Sequence, residues 1–392
     1  MQSKLGWSVL SVALALGWAA NASAQQQGVS DTEITIGSIQ DLSGPIAGFG
    51  KAIRNGLALR VDEINEQGGI NGRKIKLIVE DDAYDPKKAV LAAQKLVNQD
   101  KVFVVAGHLG TAQNNASLPV QLEKKIINFF PVTAARDMYE PFDRLKFAFA
   151  ATYFDQMRSG LPEMFRKKKY AKPCIIYQDD DFGIEVLKGT EDALKAIGTP
   201  LAEKTSYKRG ATDFSSQVAK MKAASCDLVV LGTIIRETIG TIGESRKTGF
   251  APDFFGSSAA YTDLIHKLGG PAMNGLYGMH TVGHPYLDDA SKPISFWAAK
   301  YKTKFSEDPT VFSAYGYVIM DQLGVALAAA GKKLTTDTLV KAIETTKFPA
   351  DMFGGRAPTF SPTKRLGSDE TRMSQIQNGR WVKVTDYLAV PK

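Results

Sequence analysis

The residues best placed to do chemistry are Gly107-His-Leu-Gly110 and the Thr111 that follows. They come directly after Val102–Ala106, an apolar run that reads as a fully buried strand. Thr111 then opens a helix-like segment expected to end near Pro119. A strand feeding a glycine loop and a helix start can receive an anion, because the first helical turn has free N–H groups and a partial positive charge. Gly107 and Gly110 let a ligand approach the backbone, and the Thr111 hydroxyl can bond a carboxylate. An ordinary strand–helix turn capped by Thr111 is the plainer alternative.

Other stretches imitate reactive motifs and fail on spacing. Gly48-Phe-Gly50 starts like a nucleotide-binding loop, but the third glycine of GxGxxG would fall at Ile53. A phosphate loop ending at Gly50-Lys51 would need glycine at Pro45 and Ser or Thr at Ala52. His280 and His284 are four apart, yet Val282-Gly283 and Pro285 argue against a regular helix, and no acidic partner completes a metal pattern. No metal or cofactor is expected. Asp179-Asp-Asp181 reads first as an acidic helix start. No G-x-S-x-G elbow occurs; a triad dispersed along the chain stays open.

The elements that must position these residues alternate regularly. Strands are expected at Glu33–Ile39, Lys74–Glu80, Val102–Ala106 and Ile126–Phe130. Between the first two, Ile53, Leu57, Val61 and Ile64 mark one helix face. Asp85-Pro86 starts the next helix, with Asp as cap and Pro in the first turn. Near-continuous apolar strands alternating with helices imply a parallel sheet covered on both faces. Ligands then sit beyond the strands' carboxyl ends, so loops 41–50, 107–111 and 131–135 should converge on one rim. After about residue 150 the rhythm restarts, with strands at Cys174–Tyr177, Leu228–Leu231 and Phe254-Phe255. Two such units leave a cleft suited to a small molecule. Val311–Ala330 is apolar nearly all round and should be buried. The end of the chain, 367–380, suggests a closing hairpin.

Compartment and partners follow from the ends and the composition. Lys4, the uncharged Leu5–Ala20 and Ala22-Ser-Ala24 have the form of a secretory signal cut after Ala24. Its apolar part is shorter than the ~20 residues that span a bilayer; an uncleaved anchor is the alternative. The chain has 392 residues and a net charge of +7. No nucleic-acid module accompanies that mild basicity. Cys174 and Cys226 are the only cysteines. Two buried thiols are expected, with a bridge as the alternative if their strands are neighbours.

At this point a resemblance is visible. Leu42-Ser-Gly-Pro-Ile-Ala-Gly-Phe-Gly50, Gly68-Gly-Ile-Asn-Gly72, Asp81-Asp82 with Asp85-Pro86, and Gly107-His-Leu-Gly110 are similar to the leucine/isoleucine/valine-binding proteins of ABC transporters. The resemblance implies an α/β, type I periplasmic binding fold, with two Rossmann-like lobes of parallel sheet. Hinge crossings would fall near 148–152, 278–283 and 354–358. The N-terminal lobe would take 25–149 and 283–355, and the C-terminal lobe 150–282 and 356–392. It also implies a periplasmic monomer that delivers its ligand to a membrane permease. Leu109, Gly110 and Thr111 correspond to the family's carboxylate site, and Val132, Thr133 and Ala134 to further contacts. Phe49, Phe182 and Tyr315 correspond to aromatic pocket positions.

Departures from the family pattern shape the ligand. Where amino-acid binders hold the α-ammonium with a threonine and a second-lobe carboxylate, this chain has Ala134 and Ser258; a second-lobe tyrosine maps to Ile234 or Ile235. A buried ammonium without an anion is costly, unless Asp179–Asp181 or Asp263 substitutes. The expected ligand is therefore an aromatic or other simple organic acid, with amino acids as the second choice. A ligand sensor of the same fold, or a secreted hydrolase, is the competing class.

Overall fold

The protein is described by a computed structural model covering residues 26–391. The expected signal segment, 1–24, lies outside the described residues. The first sheet is built from β1 (Glu33–Gln40), β2 (Lys74–Asp81), β3 (Val104–Ala106), β4 (Ile127–Phe129) and β5 (Lys146–Phe147). Its order is β2-β1-β3-β4-β5, parallel throughout. Between the strands run α1 (Ala47–Glu66), α2 (Pro86–Gln94) and α3 (Thr111–Glu123). The Asp85 carboxylate accepts from the amides of Lys87 and Lys88, as its cap role requires.

The second sheet follows α4 (Tyr153–Lys167). Its strands are β6 (Pro173–Gln178), β7 (Glu203–Tyr207), β8 (Leu228–Gly232), β9 (Asp253–Gly256) and β10 (Tyr277–His280). They alternate with α5 (Asp181–Ile197), α6 (Ser215–Ala223), α7 (Arg236–Lys247) and α8 (Asp263–Gly269). After α9 (Lys292–Phe305), α10 (Val311–Ala330) and α11 (Thr336–Thr345), the chain returns with β11 (Arg372–Gln377) and β12 (Arg380–Lys383). The order is β12-β11-β10-β9-β8-β6-β7.

Here the fold departs from the expectation of two parallel sheets. β11 pairs antiparallel with β10, and β12 antiparallel with β11, so the second sheet is mixed. The hairpin turns at Asn378-Gly379, both at positive φ. The chain passes between the sheets after β5, after β10 and before β11.

Some boundaries also moved. α3 continues through Pro119 to Glu123. The proline forfeits one backbone bond, but Leu118 and Gln121 beside it are buried, which holds the last turn in place. Strands β5, β7 and β10 carried too few apolar residues to show in the sequence. The cysteines were expected as thiols; Cys174 and Cys226 are in fact joined in a disulfide. Cys174 lies on β6 and Cys226 just ahead of β8, and these strands are hydrogen-bonded neighbours.

α10 is long and apolar enough to cross a membrane by length and composition. It instead packs against α1 and α11 inside the protein. The crossing with α1 is made by two glycines. A Cβ at Gly56 would stand 2.1 Å from the Ser313 carbonyl oxygen, and one at Gly316 2.2 Å from that of Ile53. The helices touch backbone to backbone only because both positions lack a side chain. Gly56→Ala and Gly316→Ala are expected to lower unfolding stability by about 1–3 kcal/mol, read from urea denaturation. Reduction of the disulfide, which closes a 52-residue separation, is expected to cost about 4 kcal/mol in the same measurement.

Candidate functional site

A cavity of about 60 Å³ lies between the two sheets. Its walls come almost entirely from segments that leave the carboxyl ends of strands. Ile46 and Phe49 follow β1, and Tyr84 follows β2. Leu109, Gly110 and Thr111 follow β3; Val132, Thr133 and Ala134 follow β4; Phe149 and Ala150 follow β5. From the second sheet come Phe182 after β6, Ile234 after β8, Ser258 and Ala259 after β9, and Thr281 after β10. Phe312 and Tyr315 enter from α10. The pocket positions named from the family resemblance, with Ile234 rather than Ile235, are thus brought to one cavity, and Gly107 is not among its lining residues.

Local hydrogen bonds explain how each rim segment is held. The Asp41 carboxylate accepts from the amides of Gly44 and Ile46, winding the first loop around itself. Burial pushes its pKa up. Asp81 receives the Leu42 amide at 2.8 Å and the Ser43 hydroxyl at 2.6 Å. This loop delivers Phe49, whose ring stacks on Phe312 at 3.6 Å between centroids.

Two side chains brace the β3–α3 turn through three hydrogen bonds. Gln40 Nε2 donates to the Gly107 carbonyl at 2.7 Å. Asn114 Nδ2 donates to the carbonyls of His108 and Gly110 at 2.9 and 2.7 Å. Gly107 and Gly110 both have positive φ, 67° and 98°, which glycine alone adopts without strain. Gly110, not Thr111, is the residue ahead of the helix, so Thr111 is no side-chain cap.

The structure narrows the set of free donors. The Leu109 amide donates to Ile39 and the Gly110 amide to Val132, at 3.1 and 3.2 Å. Both are spent on backbone. The first amides of α3 lack intrahelical acceptors by construction, and these begin at Thr111. Beside them the Thr111 and Thr133 hydroxyls lie 2.6 Å apart. An anion here meets two hydroxyls and a helix N-terminus.

The rest of the wall is aromatic or apolar. Tyr153 lies edge-on to Phe182 at 5.0 Å, and Tyr315 edge-on to Phe312 and Phe149 at 5.7 Å each. Burial pushes the Tyr84 and Tyr153 phenols up, and that of Tyr315 up to about 12, so all three stay neutral donors. Ser258 is fixed by Gln156, which accepts from its amide at 2.8 Å and donates to its hydroxyl at 3.0 Å. Of the isoleucines after β8, Ile234 faces the cavity and Ile235 does not.

No carboxylate substitutes for the missing acid among the described lining residues. Asp179 pairs with Lys208, Asp180 with Arg209 at 2.6 Å, and Asp263 with Lys267 at 2.7 Å. Asp181 accepts from Asn115 at 3.0 Å. Three of the contacts at the cleft mouth join the two halves: Arg136 to Glu185 through both guanidinium arms at 2.9 Å, Asn115 to Asp181, and Arg209 to the Tyr84 carbonyl at 3.3 Å.

Sequence reasoning missed several lining residues. Phe312 sits three residues before Tyr315 on the same helix, a spacing that could have found it. Tyr84 ends the β2 rim just ahead of the Asp85 cap and was open to the same rim logic. Phe149, Ala150 and Thr281 lie in the expected crossings without a motif to mark them.

Reactive alternatives dissolve in the geometry. Ser117 Oγ is 3.4 Å from His108 Nδ1, and His108 Nε2 is 3.8 Å from Asp82 Oδ2. All three are fully buried and none lines the cavity. At those distances they are a loose polar core. Among the described residues no acidic, histidine and cysteine cluster could hold a metal. His280 instead stacks on Tyr261 at 4.2 Å and bonds Ser374 at 2.8 Å.

Two sheets facing each other across an aromatic cavity make a two-lobed architecture with a cleft. The chain belongs to the periplasmic binding protein family, whose profile matches residues 33–380. That family consists of solute-binding proteins and not enzymes. An amino acid binding protein of Pseudomonas aeruginosa is 27% identical over 76% of this chain and 79% of its own. The Leu/Ile/Val/Thr-binding protein of Salmonella typhimurium is 26% identical over 75% and 80%. Among solved structures, a fatty acid ABC transporter substrate-binding protein from Thermomonospora curvata superposes with a TM-score of 0.84 at 24% identity, covering 93% of this chain and 94% of its own. A branched chain amino acid ABC transporter structure from Thermus thermophilus with bound valine gives 0.83 at 18%, covering 92% and 97%.

Burial also sets a pH dependence. It pushes the pKa of His280 down to about 3 and that of His284 down to about 4, from 6.5. Below pH 6.5 the unfolded chain therefore binds protons that the folded one refuses, and stability falls as the pH falls. Between pH 7 and 5 each histidine is expected to cost about 2 kcal/mol. Urea midpoints across that range check it, and His280→Gln should flatten the slope.

Proposed function

We propose that the chain is the extracytoplasmic solute-binding protein of an ABC importer, and that its ligand is a small organic acid with a flat or apolar body. The carboxylate docks against the Thr111 and Thr133 hydroxyls and the first amides of α3. Phe49, Phe182, Ile234 and Tyr315 enclose the body, while Leu109, Gly110, Val132, Ala134 and Ser258 complete the wall. The single observation that carries this reading is the composition of that wall. Two hydroxyls at a helix N-terminus face an enclosure of rings and aliphatic groups, with no side-chain anion to receive an α-ammonium. An unpaired ammonium there would lose its hydration without replacement.

The lobes, 25–149 with 283–355 and 150–282 with 356–392, close by hinge rotation around the ligand. The ligand biases an existing open–closed equilibrium through contacts that only the closed form offers. A membrane permease then recognises the closed monomer. Export would follow from the segment ending at Ala24. The second reading, an amino acid ligand, is favoured by the likeness to the amino acid binding proteins of Pseudomonas and Salmonella.

Calorimetric titration with benzoate, phenylacetate, octanoate and leucine separates the two. Binding of one or more of the acids with none of leucine is the expected result; tight leucine binding with none of the acids would reverse it. Thr111→Ala is expected to weaken acid binding by about 1.5–3 kcal/mol, the range for hydrogen bonds to charged groups. Unchanged affinity would remove the carboxylate from this corner.

A further inference from the structure

The cleft continues past its aromatic wall. Phe149, Ala150 and Thr281 line the cavity and also a second hollow of about 20 Å³ at the hinge. All three passages between the sheets contribute to it, the third through Asp351, Gly355 and Pro358. α10 runs alongside both spaces. Phe312 and Tyr315 stand in the cavity, Val318 and Gln322 in the hollow. Those spacings keep them on one side of the helix, and from Tyr315 to Gln322 the axis climbs about 10 Å.

The charged groups of the hollow are already engaged. The Asp351 carboxylate accepts from the amides of Phe353 and Gly355 at 2.7 and 2.9 Å. Glu370 pairs with Arg356 at 2.7 Å. Gln322 differs. Its Nε2 donates to the Pro349 carbonyl at 3.0 Å, while its Oε1 has no partner, although the residue is only 2% exposed. A buried amide oxygen without a donor is unfavourable until something donates to it. The half-buried Phe149 ring lines both the hollow and the cavity, 5.4 Å from Phe130 and 5.7 Å from Tyr315.

We propose that the hollow is the far end of the ligand site, with Phe149 as its gate and Gln322 as its acceptor. The ligand class is then an elongated carboxylic acid carrying a hydrogen-bond donor, such as a hydroxyl, at the end away from the carboxylate. This rests on the reading that the carboxylate docks at Thr111 and Thr133. Phe149 and Gln322 become specificity-determining residues: one sets the length accepted, the other rewards the terminal donor.

Matched pairs of acids test it: 3-phenylpropanoate with 3-(4-hydroxyphenyl)propanoate, and octanoate with 8-hydroxyoctanoate. In the wild type the terminal hydroxyl should raise affinity about fivefold to tenfold in at least one pair. In Gln322→Met, similar in volume but without the acceptor, each hydroxylated acid should bind no more tightly than its parent. Phe149→Ala should raise the affinity of the eight-carbon chains relative to benzoate. The inference is overturned if the parent acids bind with no hydroxyl effect in the wild type, as a hollow holding only water would give. It is also overturned if the advantage survives in Gln322→Met, or if Phe149→Ala leaves chain-length preference unchanged. If no acid binds the wild type at all, the carboxylate reading fails and this inference with it.

Discussion

Parallel strands share a direction, and that polarity governs the whole molecule. A strand whose neighbours run the same way must release its chain on the same side as they do. All five strands of the first sheet, and β6 to β10 of the second, obey this. Each sheet therefore gathers its loops along one rim. The chain sets the two rims face to face by passing between the sheets, and the cavity is what lies between them. Only α10 reaches it by another route, and it does so because two glycines let it lie against the backbone of α1.

Within that enclosure, chemistry is distributed unevenly. One corner holds the paired threonine hydroxyls and the start of α3; the remainder is rings and aliphatic side chains. Low polarity elsewhere strengthens the electrostatic pull of that corner and makes any second charge expensive. Asp180 and Asp263, which could have offered a counter-charge, are instead committed to Arg209 and Lys267. The same arginine reaches the Tyr84 carbonyl across the cleft, so a charge absent from the cavity works at its mouth. Arg136 with Glu185, and Asn115 with Asp181, do likewise. Polar contacts hold the halves together at the edge, while apolar contacts line the interior.

Much of this was legible beforehand. The apolar strands alternated with helices clearly enough to imply two α/β units. Asp85-Pro86 announced its helix, and α10 announced its burial by being apolar on every side. Chain order gave the rim loops 41–50, 107–111 and 131–135 and, with the glycine turn, Thr111; Phe49, Thr133 and Phe182 were named by the family resemblance. The short strands β5, β7 and β10 were not legible, since two to five residues with mixed polarity carry no periodic signal. The closing hairpin was expected at 367–380 and is β11 with β12, but its antiparallel pairing with β10 was not legible, because direction relative to a neighbour is set by the partner and not by the strand's own residues.

What the sequence determined by itself was local: periodicity, caps, glycine positions, and which side chains leave a strand's carboxyl end. These depend on neighbours three or four residues away, and such neighbours are always visible. Tertiary structure alone decided what those residues meet. It closed Cys174 on Cys226, spent the Leu109 and Gly110 amides on backbone partners, paired Asp179, Asp180 and Asp263 with cations, and placed Phe149 and Gln322 on the wall of one hollow. Each of those outcomes is a contact between segments far apart in the chain. Folding selects such contacts by summing over the whole molecule, so no single stretch carries a record of them.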